Sequence, residues 1–363
     1  MTNEDVCRRR LAGQFLTTRG PARASEVVRA LGAVQAQDYA GAKWALAQRA
    51  GNVTDAEIER EIDEGRILRT HVLRPTWHFV APGDIRWMLE LTAPRVAALM
   101  AHANRGLELD RSVFRRSNAA LATALAGGKC LTRAELGSHL ERAGVRIVTG
   151  QRLGHLMMQG ELDALLCNGP RRGKQFTYAL LDERVAPGGR ISREEALLEL
   201  TRRYFATRGP ATPHDFAWWS GLTVAHAKRG VEMSGRELER VTLGADYYYW
   251  PVARTPRPRG TQSAHLLPNY DEYFIGYRNR SAVAQRLGDS TTITGGSALI
   301  PHVIVVDGQL VGTWRRTFEK DAVTLTLDLR TRLSVAESRR VTSAARRFGD
   351  FLGMRADIRH VAQ

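Results

Sequence analysis

The stretch Leu131-Thr-Arg-Ala-Glu-Leu-Gly-Ser-His-Leu-Glu-Arg-Ala-Gly144, with its sequel to Leu181, decides the fold. Thr132 and Glu135 have capping-box spacing, so a helix starts at Arg133, and Gly144 ends it after Ala143. Upstream, residues 118–125 carry an apolar helical pattern broken by Gly127-Gly128. Downstream, Thr149 caps a third helix over 150–159, with Leu153, Leu156 and Met157 on one stripe. A strand over 162–167, the basic turn Asn168-Gly-Pro-Arg-Arg-Gly-Lys174 and a return strand over 176–181 complete the run. Helix, helix, turn, helix and hairpin is the order of a winged helix, with Arg171, Arg172 and Lys174 at the wing tip.

The same order recurs on both sides. Ser192 and Glu195 cap a helix running to Thr207, Gly209-Pro210 breaks it, and Thr212-Pro213 opens a second through Trp219. A third helix over 223–233 leads to a hairpin over 238–243 and 247–252. In the first hundred residues, helices over 5–16, 24–34 and 54–64 precede a hairpin over 67–73 and 76–80, which turns at Arg74-Pro75. A long amphipathic helix over 82–100 follows. After a Pro/Arg-rich linker, 253–260, the texture changes to strands: a hairpin turning on Asp307-Gly308, a strand over 323–329 and a closing helix over 335–352. The expectation is an α+β chain of three tandem winged-helix modules (1–110, 111–190, 191–260), followed by a small β-rich domain with a C-terminal helix (261–363).

Composition narrows the partner. The 363 residues include 53 Lys and Arg against 38 Asp and Glu, a net charge of +15, with a pI near 10.4. Such a charge points to a polyanion, nucleic acid before a membrane surface, although an Arg-rich genomic habit produces the same bias. Cys7, Cys130 and Cys167 are far apart and in no CxxC, which indicates neither disulfides nor a zinc site. No apolar run approaches the ~18 residues of a membrane span, and MTNEDVCRRR lacks a signal-type apolar core, so a cytoplasmic protein is expected. The sequence holds no Gly-rich phosphate loop, HExxH or GxSxG, and neither cofactor nor metal is expected.

The chemistry centres on Val34-Gln35-Ala36-Gln37-Asp38, just past the apolar run of the second helix. Residues two apart lie about 200° apart on a helix but point the same way in an extended chain, so joint action requires the helix to stop near Gln35. A pair of neutral amides can hold a water or read a base edge, but neither is a titrating base. Solvated glutamines at a frayed helix end are the bland alternative. His71-Val-Leu-Arg-Pro-Thr-Trp-His78 places two histidines, an arginine and a tryptophan on one hairpin. The candidates are a packed hairpin or a DNA contact through His71, Arg74, Trp77 and His78. A metal half-site lacks a third ligand at usual spacing. Leu267-Pro-Asn-Tyr-Asp-Glu-Tyr-Phe-Ile-Gly-Tyr277 reads first as a buried aromatic joint with polar caps. Arg315 and Arg316 end a strand, either solvated or on DNA.

Gln35-Ala-Gln37, the HVLRPTWHFV hairpin at 71–80, LLPNYDEYFIGYR at 266–278 and DGQLVGTWRR at 307–316 together resemble the AlkZ-like winged-helix DNA glycosylases. Four motifs in the right order span nearly the whole chain. The resemblance implies a C-shaped, monomeric body acting on double-stranded DNA that carries alkylated guanine, in some members bulky adducts or interstrand crosslinks. It implies Gln35 and Gln37 as the catalytic glutamine, apolar, glutamine signature. The related YcaQ-like group has aspartate third, whereas here Gln37 is third and Asp38 falls one residue later. A winged-helix transcriptional regulator without catalysis and a protein-binding scaffold are the alternatives from other classes.

Overall fold

A computed structural model describes residues 1–189, 191–252, 262–288 and 301–361. The expected linker at 253–260 therefore lies outside the described residues. In chain order, α1 (Asn3–Gly13) and α2 (Ala24–Leu31) lead to β1 (Ala33–Gln35), α3 (Tyr39–Ala47) and α4 (Asp55–Asp63). The hairpin β2 (Leu68–His71) and β3 (Trp77–Val80) precedes the long α5 (Ile85–Gly106). Then come α6 (Arg111–Leu125), β4 (Leu131–Thr132), α7 (Arg133–Arg142), α8 (Gly150–Leu162), β5 (Leu166–Asn168), β6 (Thr177–Leu180) and α9 (Leu181–Arg184). Next are α10 (Arg193–Arg208), α11 (Pro213–Ser220), α12 (Val224–Ser234), β7 (Leu238–Leu243) and β8 (Asp246–Pro251). The last stretch holds β9 (Ala264–Leu267), α13 (Glu272–Ile275), β10 (His302–Val306), β11 (Gln309–Phe318), β12 (Ala322–Leu329), α14 (Val335–Leu352) and β13 (Arg355–His360).

The described residues form two compact units: Met1–Ile58 with Leu198–Trp219 and Thr223–Gln363, and Glu59–Leu197 with Ser220–Leu222. In the first, five strands run in the order β13-β12-β11-β10-β9, antiparallel except for the parallel pair β12 and β13. A core of Val6, Cys7, Leu11, Tyr273, Phe274, Ile275, Val303 and Val305 packs α1 and α13 onto that sheet. In the second, α6, α7 and α8 enclose Leu121, Leu125, Leu136, Leu140 and Leu156, and β4, β6 and β5 form a small sheet. The capping box expected at α7 is present: Thr132 Oγ1 accepts from the Glu135 N–H, and Glu135 accepts from the Thr132 N–H. The mixed α+β character is as expected. Among the described residues no helix is long and apolar enough to cross a membrane.

Two differences bear on the site. The helix expected over 24–34 stops at Leu31, because Gly32 adopts φ +80° and turns the chain into β1. That conformation is strained for any residue with a Cβ, so glycine fixes the break. Asp38 then caps a helix the sequence did not advertise, α3, through its carboxylate and the Gly41 N–H at 3.1 Å.

Candidate active site

The Gln35-Ala-Gln37 segment is extended at its start and leaves the helical path before the first glutamine, as joint action requires. Gln35 is buried and Gln37 exposed. The backbone beneath them is held from one side by a buried ion pair. Glu272 accepts the Gln35 N–H at 2.9 Å through Oε1. Its Oε2 accepts from Arg208 Nε at 3.1 Å, Arg208 Nη2 at 2.7 Å and Trp219 Nε1 at 2.8 Å. Arg208 also donates to the Leu31 carbonyl at 2.8 Å and the Ala33 carbonyl at 3.0 Å. Arg208, Glu272 and Trp219 are fully buried, and the guanidinium lies 4.3 Å from the Trp219 ring centroid. Unpaired, either charge would be expensive there; paired and hydrogen-bonded, both are tolerated.

A second pair sits beside the first. Arg49 makes a two-pronged contact with Asp271, 2.8 Å on each prong, and Asp271 caps α13 through the Tyr273 N–H. Arg49 also donates to Gln14 Oε1; Gln14 Nε2 donates to the Tyr277 hydroxyl, which donates to the Arg208 carbonyl. The 267–277 segment is thus a buried aromatic joint with polar caps, and in addition its Glu272 reaches the Q-A-Q strand. Sequence reasoning missed Arg208 and Trp219. The available signal was a carboxylate inside an aromatic-dense run, a position where a buried charge demands a partner.

Asp38, the residue after Gln37, is fully engaged. Besides capping α3 it accepts from Arg316 Nη2 at 3.1 and 3.3 Å, a pair whose side chains are 22% and 13% exposed. Asp38 is therefore tied into α3 and β11. Near this pair, burial and the Arg316 charge hold the His302 imidazole down to about 4, and its Nδ1 accepts the Asn269 N–H at 2.8 Å. His302 is neutral at physiological pH.

The remaining candidates are distributed. Arg315 is exposed on β11. In the second unit, His71 is buried with its Nδ1 on the Glu161 carboxylate and its ring 4.5 Å from that of Trp77. His78 is also buried, and its Nδ1 lies 2.9 Å from the Thr76 carbonyl. Arg74 and Trp77 are half-buried, and Arg69 lies 4.3 Å from the Trp77 ring centroid. In the 168–174 turn, Arg171 meets Glu59 at 3.5 Å and Arg172 meets Glu135 at 2.8 Å. The Thr132 N–H and then the Arg172 guanidinium hold the Glu135 carboxyl down to about 2. Lys174 is exposed.

The AlkZ-like DNA glycosylase family model matches residues 28–351, which include both glutamines and the Arg208–Glu272 pair. The chain belongs to the AlkZ-like DNA glycosylase family. It is a DNA glycosylase. A curated relative, an interstrand DNA cross-link repair glycosylase from Streptomyces sahachiroi, is 26% identical over 337 residues, covering 87% of this chain and 88% of that protein. The solved structure of Streptomyces sahachiroi DNA glycosylase AlkZ superposes with a TM-score of 0.82 at 24% identity, over 99% of this chain and 100% of that one. The two share a fold.

Proposed function

We propose that this glycosylase hydrolyses the N-glycosidic bond of N7-alkylated guanine in duplex DNA, with Gln35 and Gln37 as its catalytic residues. The supporting observation is that the residues at the motif divide by role. Asp38 is committed to a helix cap and an ion pair, and Glu272 to Arg208, Trp219 and the Gln35 backbone. The two glutamines are neutral amides, which can hold a water without titrating.

Alkylation at N7 places a positive charge on guanine. When the C1′–N9 bond breaks, its electron pair passes to N9 and neutralises that charge, so the base leaves without an acid. Water adds at C1′ and its proton passes to solvent. What remains for the protein is to place the water and to stabilise the oxocarbenium-like sugar, and two amide oxygens do both without titrating. An interstrand crosslink joined at N7 offers the same cationic leaving group. The cross-link repair activity named for the Streptomyces sahachiroi relative therefore extends this reading to bulky and crosslinked guanines.

The helix and hairpin sets within 1–110, 111–190 and 191–260 are the parts we assign to three winged-helix modules of a monomer, followed by the β-rich domain. Of the candidate DNA contacts, Lys174 and Arg315 are exposed and would meet phosphate directly, and half-buried Arg74 is a further candidate. Arg171, Arg172 and Arg316 would exchange a carboxylate for it, and Trp77 remains a candidate stacking surface. His71 and His78, both buried, act in this reading by shaping the hairpin. The test is incubation with a duplex carrying one N7-methylguanine, followed by alkali. Strand cleavage at the lesion is expected; an intact strand at enzyme excess would overturn the substrate assignment.

A further inference from the structure

We infer that the buried Arg208–Glu272 pair is a positioning device for base release, aligning β1 and the Gln35-Ala-Gln37 segment that leaves it, rather than only stabilising the fold. This rests on the assignment of the two glutamines as catalytic. Residues 33 and 35 of an extended strand turn their backbone polar groups to the same edge. The Ala33 carbonyl goes to Arg208 and the Gln35 N–H goes to Glu272. One ion pair thus occupies the place of a neighbouring strand. The same guanidinium takes the Leu31 carbonyl, so its nitrogens grip the chain on both sides of Gly32, where it turns at φ +80°. Three points over five residues fix the direction in which β1 leaves α2, and Trp219 orients the carboxylate from behind.

A purely stabilising role would not need this arrangement, because well-packed apolar side chains usually stabilise a core as well as a buried ion pair does. An ion pair with a planar five-donor fork does what apolar packing cannot, which is to set hydrogen-bond directions. Displacing a reacting group by about 1 Å can cost about 10²-fold in rate. β1, which ends at Gln35 two residues before Gln37, is held by one guanidinium and one carboxylate.

The test uses two charge-conserving variants of the full chain, Arg208→Lys and Glu272→Asp. Lysine keeps the charge opposite Glu272 but cannot reach both carbonyls. Aspartate keeps the pair but withdraws the acceptor from the Gln35 N–H by one methylene. Base release from N7-methylguanine duplex is followed under single turnover with saturating enzyme, alongside duplex affinity and thermal midpoint. We expect the rate constant to fall about 10- to 100-fold, with affinity unchanged within about twofold. Val305→Ala, in the core of the five-stranded sheet, supplies matched destabilisation; its rate constant should equal wild type. A merely structural role lowers the midpoint or the reactive fraction of protein but leaves the rate constant of folded molecules alone. Wild-type rate constants in whichever of the two variants folds would overturn the inference. Gln35→Ala and Gln37→Ala run in parallel: if they are slow while the ion-pair variants are not, positioning is wrong and the site reading stands. If both glutamine variants release base at the wild-type rate, the site reading itself fails.

Discussion

Gln37→Ala is the sharpest perturbation of the proposed site. Gln37 is exposed, so its truncation should change folding stability by no more than about 0.5 kcal/mol. Removing one preorganised polar contact from a developing charge typically costs about 10²–10³ in rate, equivalent to about 2.7–4 kcal/mol of transition-state stabilisation. The two effects differ by enough that the rate loss cannot be a folding loss. Gln35 is only 7% exposed, so Gln35→Ala should cost a comparable factor in rate and also about 1–3 kcal/mol of stability. If the amides hold one water between them, the double variant should lose less than the product of the single losses, since groups acting as a unit are not additive. The assay is single-turnover release of N7-methylguanine at saturating enzyme, with thermal midpoints in parallel. Gln37→Asp should retain activity on this simple cationic lesion, because a carboxylate still accepts from water. It also sets a second charge beside Asp38 to compete for Arg316. Wild-type rates in both single alanine variants would refute the reasoning.

Duplex affinity should fall steeply with salt, by about 0.9 log unit per log unit of salt for each phosphate neutralised. Alanine at Arg171, Arg172 and Lys174 together should weaken every duplex alike and shallow that slope; an unchanged slope would remove the 168–174 turn from the interface. Arg316→Ala leaves Asp38 with its α3 cap but without its cation, and should cost about 1–2 kcal/mol by urea denaturation, between exposed and buried pairs. A loss below about 0.3 kcal/mol would show the pair to be incidental. Burial, with nearby arginines, depresses the His265 imidazole to about 3 and His302 to about 4, so both are neutral when folded. Unfolded histidine titrates near ~6.5, so below that value the unfolded state binds more protons. Stability should therefore fall as pH drops from about 6.5 towards 4, by up to about 1.4 kcal/mol per pH unit for each histidine. His265→Gln should shallow that decline, and a urea midpoint constant between pH 7 and 5 would contradict the reading.

What was legible in the sequence was local. Ser334 and Glu337 cap α14 as Thr132 and Glu135 cap α7, and the closing helix spans Val335–Leu352, the expected residues. Such signals need only three or four neighbouring residues, and no tertiary partner decides them. α3 was not legible, because its Asp38 cap stands directly against the glutamine motif and Ala40-Gly-Ala-Lys-Trp-Ala-Leu-Ala47 has no clean apolar stripe. Strand β13 was not legible either. Arg355-Ala-Asp-Ile-Arg-His360 is too polar to announce a strand, and its extended form comes from the parallel register with β12. The adjacent Trp218 and Trp219, indistinguishable in sequence, take different places: Trp219 is buried, while Trp218 is 46% exposed and donates through Nε1 to the Ile275 carbonyl.

The candidate site divides in the same way. The two glutamines stand in one short motif and were visible at once. Their support is 64 residues apart in the chain, Arg208 and Glu272, and lies far from Gln35, so no spacing rule joins them. The same holds for the basic turn at 168–174, where a run of cations looked free until Glu59 and Glu135 were placed beside it. Local patterns report which chemical groups a chain offers, and tertiary structure decides which are already occupied. The acids near the motif, Asp38 and Glu272, are paired with Arg316 and Arg208, which agrees with the proposal of a site that works without a titrating base. In the proposed reaction a neutral pair suits a substrate that brings its own positive charge, because such a base leaves without an acid and only the water has to be placed. In that proposed reaction the water needs a direction, and the two amides would give it one, Gln35 ending a strand fixed at Leu31, Ala33 and Gln35 and Gln37 following two residues later.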